Sequence, residues 1–336
     1  SKEVVMPEEL RRSFKKALQR LRSSGTILLV SPESPDIDSI SCVSAFNCFM
    51  KWLNPDCQVA MYCCDSLHSL SNNTLFPFIK NTNRITKSLP RWSPEVVVVF
   101  DYGSLRRARL PQEYDDIPII GFDHHPLVDK KPQIVVVDEK DASCTALLFR
   151  FFEFAGYSFD RGVAATLLVG LMADTGRLGN ASVNHSALIT AARLDPDDKI
   201  TRKILMASRR RIPIGRLPIW QRLINRINLD KTSGLVSLVV SRQDRANWRA
   251  SKRDIMTFFG ILKDIEEGAA AAIITEEDRE RWAVSLRTCP LREMNLAKIA
   301  KNFGGGGHDY AAGFSWMGSD VNRLVRELQN YIKGIT

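Results

Sequence analysis

The feature that most constrains this chain is a repeated alternation in its first half. Short apolar or β-branched runs stand at 26–30 (TILLV), 57–61 (CQVAM), 96–100 (VVVVF), 117–121 (IPIIG) and 134–138 (IVVVD). Apolar residues at helical spacing lie around and between them, at Leu10, Phe14, Leu18 and Leu21 and then over about 39–53, 142–156, 162–173 and 185–193. Strands that alternate with helices predict an α/β fold with a parallel sheet covered on both faces.

The remainder divides differently. Residues 196–230 hold Pro213, Pro218 and a helical stretch at 219–228, and read as a linker with a bridging helix. Beyond them, strands are predicted at 234–240, 269–275 and 281–287, with helices at 251–265 and 320–332. A chain of 336 residues has room for two such domains, 1–195 and 231–336, each with its own core. No apolar run reaches the roughly 18–20 residues of a membrane span, and SKEVVMPEELRRSFKK lacks the apolar stretch of a secretory leader. Seven cysteines without CxxC or framework spacing read as reduced thiols, which predicts a cytoplasmic protein.

The formal charge of +9 is unevenly placed. Residues 1–195 carry 22 basic and 22 acidic side chains, whereas 196–336 carry 25 and 16. Between Lys199 and Asp230 stand Arg202, Lys203, Arg209, Arg210, Arg211, Arg216, Arg222 and Arg226, with no acid. This points to an anionic ligand met from the C-terminal side, or to a solvated basic face.

In a parallel sheet, ligands bind beyond the carboxyl ends of the strands. Four acid-bearing turns fall there: Asp36 and Asp38 in SPESPDIDS, Asp101 in VVVVFDYGS, Asp123, His124 and His125 in IPIIGFDHHP, and Asp174 in VGLMADTG. One such Asp is ordinarily a cap or turn residue. Several converging on one crevice repel each other unless a cation neutralises them. Carboxylates with an imidazole suit Mn²⁺ or Mg²⁺, and two such ions can serve an in-line displacement at phosphorus. A second constellation is KNFGGGGHDYAAGF: Gly304, Gly305, Gly306 and Gly307 free backbone N–H groups to converge on an anion, and His308 adds a donor. Arg287, on the preceding predicted strand, suits bidentate contact with a phosphate.

Taken in order, PDIDS, FDYGS, DHH and ADTG, then SLR and GGGGHxxAAG, resemble the motifs of the DHH phosphoesterases with a DHH-associated C-terminal domain, of the bacterial oligoribonuclease and pAp-phosphatase type. The resemblance implies a Rossmann-like DHH domain and a smaller α/β substrate-binding domain across a cleft. It implies metal ligands at Asp36, Asp38, Asp101, His124 and Asp174, with Asp101 bridging up to two ions. Asp123 then orients a histidine, His125 contacts the phosphoryl group, and Arg287, the glycines and His308 anchor substrate. The implied reaction is hydrolysis of short RNA or DNA oligonucleotides or nucleotide phosphates by a metal-activated water. Trp248, Tyr310 and Trp316 are the aromatics available for base stacking, and a homodimer is left open.

The chain departs from that pattern in its first motif. The histidine of the family stands at Pro32, the glycine between the two acids is Ile37, and Leu178 follows Arg177 where an aromatic is usual. His68 and His185 fall in no matching motif, and Glu33 is the neighbour able to fill the gap. One ion site is therefore complete (Asp38, Asp101, His124, Asp174) and the other weakened. The competing reading is a binding protein of the same fold with little or no hydrolysis.

Overall fold

The computed structural model describes residues 6–71, 73–126, 132–179, 183–195, 198–208, 212–289 and 294–334. The chain forms two compact units, 1–209 and 210–336.

The first unit runs α1 (Glu8–Arg22), β1 (Thr26–Ser31), α2 (Ile37–Leu53), β2 (Gln58–Cys63), α3 (His68–Ser71), β3 (Ile85–Thr86), β4 (Val96–Phe100), β5 (Ile119–Asp123), β6 (Ile134–Val137), α4 (Cys144–Ala155), α5 (Arg161–Asp174), α6 (His185–Leu194) and α7 (Lys199–Ser208). Its sheet is wholly parallel, in the order β3-β2-β1-β4-β5-β6. Alternation along the strands sends Ile27, Leu29, Val96, Val98, Phe100, Ile120 and Phe122 into one large core with α1, α2, α4 and α5. Phe46, Phe49, Phe151 and Phe152 fill it as a ring cluster. The opposite face, with Leu28, Val30, Val97 and Val99, is covered by Tyr102, Ala108 and Tyr114 from the segment after β4. Both faces are covered, but the second by 3₁₀ turns rather than by helices.

The second unit contains α8 (Leu217–Ile224), β7 (Asn228–Asp230), β8 (Leu235–Val240), α9 (Arg242–Trp248), α10 (Lys252–Met256), α11 (Phe259–Leu262), β9 (Ala270–Asp278), β10 (Arg281–Thr288), α12 (Leu296–Asn302), β11 (Gly306–His308), β12 (Ala311–Met317) and α13 (Val321–Lys333). Its mixed sheet has the order β11-β12-β10-β9-β8-β7. Trp282, Val284 and Leu286 of β10 pack against α12 and α13, while Val236, Leu238, Ala271 and Ile273 pack against α8, α10 and α11.

Several expected elements change. The helix expected over 219–228 ends at Ile224, and Asn228–Asp230 becomes an edge strand. The single helix expected over 251–265 is two short ones broken at Thr257 and Phe258. The basic segment 196–230 is shared: α7 belongs to the first unit, and Ile219, Trp220 and Leu223 of α8 lie in a core of the second. Arg209, Arg210 and Arg211 lie outside the described residues. Among the described residues no helix is long and apolar enough to cross a membrane.

Candidate active site

The acids of the first unit meet at the carboxyl end of its sheet. Asp36 is the N-cap of α2: its Oδ1 accepts from the Ser39 amide at 2.8 Å, and the Ser39 hydroxyl accepts from the Asp36 amide at 3.1 Å. Asp38, the second residue of α2 and fully buried, is held by the start of α4. Its Oδ2 accepts from the Cys144 amide at 2.7 Å, and its Oδ1 accepts from the Thr145 amide at 3.2 Å and the Thr145 hydroxyl at 2.5 Å. The open N-terminus of a helix thus receives a carboxylate. Gly170 of α5 closes the other side, where a Cβ would lie 2.5 Å from Asp38 Oδ1.

Asp101 directly follows β4 with φ +50°, a left-handed conformation uncommon outside glycine and turn residues. Its Oδ1 lies 3.5 Å from His124 Nε2 and 3.3 Å from His125 Nδ1. His124 Nε2 is also 3.1 Å from Asp174 Oδ2, at the last residue of α5. Asp123 ends β5 and is spent on backbone: its Oδ2 accepts from the Tyr102 and Gly103 amides, its Oδ1 from the His124 and His125 amides. His125 Nδ1 approaches Asp123 Oδ1 at 2.9 Å. Asp123 therefore shapes both loops that carry ligand candidates.

His124 Nδ1 meets the backbone carbonyl of Asp141 at 3.2 Å. The Asp141 carboxylate is clamped by Arg150 Nη1 at 2.7 Å, which also reaches Asp138 at 2.8 Å. Sequence reasoning missed this support, as it missed Thr145 and Gly170. Ser143, the side-chain cap of α4, marks the helix start in sequence, but nothing in DASCT shows that Asp38 docks there.

The electrostatics show an excess of negative charge. Burial, followed by the charges of Asp101 and Asp174, pushes the Asp36 carboxyl up to about 7. Burial, then Asp174 and Asp101, raise Asp38 well above the carboxylate range, and burial raises Asp174 as well. Burial opposes ionisation of Asp101 too, but the two imidazoles outweigh it and hold this group low. Conversely His124, despite a burial penalty, is pushed up to about 12 by Asp101 and Asp174, and His125 to about 10 by Asp101 and Asp123. Such a cluster gathers positive charge, as protons or as a cation.

A divalent cation fits the residues present. Asp38, His124 and Asp174 each offer a ligand atom within 4.8 Å of one another, as do Asp101, His124 and His125. Asp101 Oδ1 and His124 Nε2 are buried without a hydrogen bond of acceptable geometry. Asp36 joins neither group. Glu33 does not fill the gap at Pro32, because its carboxylate is paired with Arg109 at 2.6 Å. His68 lies on α3 and His185 opens α6, both outside these groups.

In the second unit, the glycine run is ordered structure rather than an open loop. Gly304 and Gly305 leave the end of α12, and Gly306–His308 is the edge strand β11 paired with β12. At Gly305 a Cβ would collide with the Gly313 carbonyl oxygen, and at Gly307, with φ +141°, it would lie 2.5 Å from Ala312 Cα. These two glycines are required by the sheet itself; Gly306 faces open space. Backbone pairing sets His308 opposite Ala311 and Ala311 opposite Arg287, one row across three strands; the His308 side chain lies outside what is described. Arg287 is half-buried, stacks 5.2 Å over Phe259 and donates to the Leu286 carbonyl at 2.7 Å. Trp248 lies under Arg226 at 4.7 Å, Trp316 packs on the α12–α13 core, and Tyr310 is exposed.

Family comparison agrees with this division. A model of the DHH family N-terminal domain matches residues 26–171, and one of the DHHA1 domain matches 232–334. The chain belongs to the DHH family of phosphoesterases and carries a C-terminal DHHA1 domain. Among its relatives is the bifunctional oligoribonuclease and PAP phosphatase NrnA of Thermus thermophilus, 24% identical over 227 residues, or 66% of this chain and 67% of the relative. The protein of that name from Mycoplasma genitalium is 23% identical over 249 residues, 72% and 76% of the two chains. In fold, the chain is similar to an exopolyphosphatase-related protein from Bacteroides fragilis, with a TM-score of 0.76 at 18% identity over 100% and 99% of the two chains.

Proposed function

We propose that this protein is a metal-dependent phosphoesterase that hydrolyses short oligonucleotides or nucleotide phosphates. The observation that carries the reading is the meeting of Asp38, Asp101, His124 and Asp174 at one end of a parallel sheet, with Asp101 Oδ1 and His124 Nε2 buried without a hydrogen bond of acceptable geometry. The relatives named for oligoribonuclease and PAP phosphatase activity indicate the substrate class.

Mn²⁺ or Mg²⁺ is the cation we assign, held by Asp38, Asp101, His124 and Asp174, with Asp36 and Asp101 offering a second, weaker ion site. When bound, it supplies Lewis acidity at the phosphoryl group and lowers the pKa of water. Asp38 is fixed by α4, so it cannot swing away when a cation binds or leaves. The Asp123 carboxylate orients the His125 ring and the Asp141 backbone carbonyl orients that of His124, each at Nδ1. His125, half-exposed and held at Nδ1, presents its other nitrogen for the phosphoryl oxygen. In the DHHA1 unit, Arg287, the Gly306 backbone and His308 anchor the remaining phosphate.

Pro32 favours a second reading, a nucleotide-binding protein of low turnover, because the first motif lacks a ligand and Glu33 is occupied by Arg109. Titration with Mn²⁺ by calorimetry, paired with chromatography of di- to pentanucleotides and of 3′-phosphoadenosine 5′-phosphate, separates the two. Hydrolysis that requires Mn²⁺ supports the enzyme. Nucleotide binding with no product at saturating Mn²⁺ supports the binder.

A further inference from the structure

A second hollow opens on the same edge of the first unit's sheet. It is an open depression of about 410 Å³, lined by Cys63, Asp65, His68, Phe76, Asn83 and Lys87, among others. Its size falls in the range of about 300–1,000 Å³ typical of small-molecule sites. Cys63 ends β2 opposite Ser31 of β1, and Thr86 ends β3 opposite Tyr62. The hollow therefore lies at the carboxyl ends of β2 and β3, as the metal candidates lie at those of β1, β4 and β5. With strands about 4.8 Å apart, it begins roughly 10 Å from Asp101 along the sheet edge. One wall is tied to the loop that carries Asp36: Asp65 Oδ2 accepts from the Ser34 amide at 2.6 Å, and Cys63 Sγ donates to the Pro32 carbonyl at 3.7 Å.

We propose that this hollow is a nucleobase subsite, receiving the base of a nucleotide whose phosphate lies at the metal cluster; the proposal rests on the reading of this unit as a nucleotide phosphoesterase. Phe76 offers a partly buried ring for stacking. The His68 ring and the Asn83 amide can each donate and accept, and Lys87 donates only. All three residues are solvent-exposed, and among the described residues these side-chain ends have no internal partner, so they are open to a ligand. Asp65 keeps acceptor capacity beyond the Ser34 amide, so with His68, Asn83 and Lys87 the lining offers both donors and acceptors to the edge of a purine, with its ring nitrogen and exocyclic positions. The arrangement gives base recognition to the DHH unit itself.

The test uses the full chain and the variants His68→Ala/Asn83→Ala and Phe76→Leu, with AMP and ribose 5-phosphate as probes. Calorimetry should show AMP affinity falling at least tenfold in the double variant, with ribose 5-phosphate unchanged. For dinucleotide hydrolysis, KM should rise with kcat kept. Unchanged AMP affinity, equal losses for both probes, or no AMP binding by the parent protein overturns the proposal. If the parent hydrolyses dinucleotides with a KM indifferent to these residues, the subsite falls and the phosphoesterase stands. If it hydrolyses nothing but its AMP affinity depends on His68 and Asn83, the subsite stands and the hydrolysis falls.

Discussion

Replacing Gly170 by alanine sets two opposed effects against each other within one helix. Gly170 lies well inside α5, where alanine is ordinarily favoured over glycine by about 0.8–1.0 kcal/mol. Here the new Cβ would lie 2.5 Å from Asp38 Oδ1 and 2.5 and 2.6 Å from Thr145 Cγ2 and Oγ1. None of these is the tip of a flexible side chain, because Asp38 is fixed by α4 and Thr145 is in its first turn. Overpacking of a tight core costs about 1–3 kcal/mol. Loss of the Thr145–Asp38 hydrogen bond, made to a carboxylate, adds about 1.5–3 kcal/mol. The net expectation is destabilisation by about 1.5–5 kcal/mol, against a naive gain of about 1. Urea unfolding of the apo protein reads the stability, and Mn²⁺ calorimetry reads the site, where displacement of Asp38 should weaken binding at least about tenfold. Gly162→Ala, in the first turn of the same helix, is the control. The nearest atoms to its Cβ are the end of the flexible Lys80 side chain, whose ion pair with the exposed Asp160 is worth little, so stability should stay within about 0.5 kcal/mol of the parent. A Gly170→Ala protein as stable as its parent, with Mn²⁺ affinity intact, would refute the reasoning.

Four further outcomes are expected. Asp101→Ala should remove Mn²⁺ binding and hydrolysis together, read by calorimetry and chromatography; retained hydrolysis would mean that the chemistry lies elsewhere. Mn²⁺ affinity should fall as pH falls. His124 is raised to about 12 and carries a proton across the neutral range, and Asp38 and Asp174 are raised as well, so binding displaces at least one proton and affinity changes at least about tenfold per pH unit. Calorimetry in buffers of different ionisation enthalpy counts the protons, and a count of zero would contradict the assignment. In the apo protein the same raised pKa gives stability that is full below the unfolded histidine value and is lost as pH rises through the folded one, so high pH should lower its unfolding temperature. Arg150→Met leaves Asp141 buried without its partner, and breaking such a pair costs about 3–5 kcal/mol; a loss under about 1 kcal/mol in urea unfolding would show that the Asp141 carboxyl escapes to solvent or is neutralised at little cost. Pro32→His should strengthen the weaker ion site about tenfold or more, whereas Ile37→Gly, at a buried core position, should cost stability rather than help; no change in Mn²⁺ stoichiometry in Pro32→His would place the missing ligand elsewhere.

The parallel sheet was legible because each of its main strands is a dense apolar run and each turn after it carries Asp or Ser. The two-residue β3 and the glycine-built β11 were not legible, since neither has side chains that alternate in polarity. AAGFSWM does alternate, but it stands behind a glycine run that reads as a loop. The acids of the site could be found in sequence because they recur at strand ends. Their supports could not: Asp38 docks on residues 106 and 107 positions away, and Arg150 acts through a carboxylate and then a carbonyl. Those contacts depend on how α4 and α5 pack, which periodicity does not fix. Glu33 was a candidate by proximity alone, and its partner Arg109 follows from a 3₁₀ turn that the sequence does not announce.

The docking of Asp38 on the start of α4 also sets an order for the growing chain. Translation delivers Asp38 first, and it then waits for Cys144 and Thr145 before it has hydrogen-bond partners. Asp101 and His124 emerge in between, and Asp174 comes last. A chain halted before the end of α5 lacks Asp174 and the helix that carries Gly170 against Asp38, so a cation held as proposed would meet only part of its ligand set. Uptake of such an ion would therefore report that the chain has been made as far as α5, with α6 and α7 of the same unit still to follow.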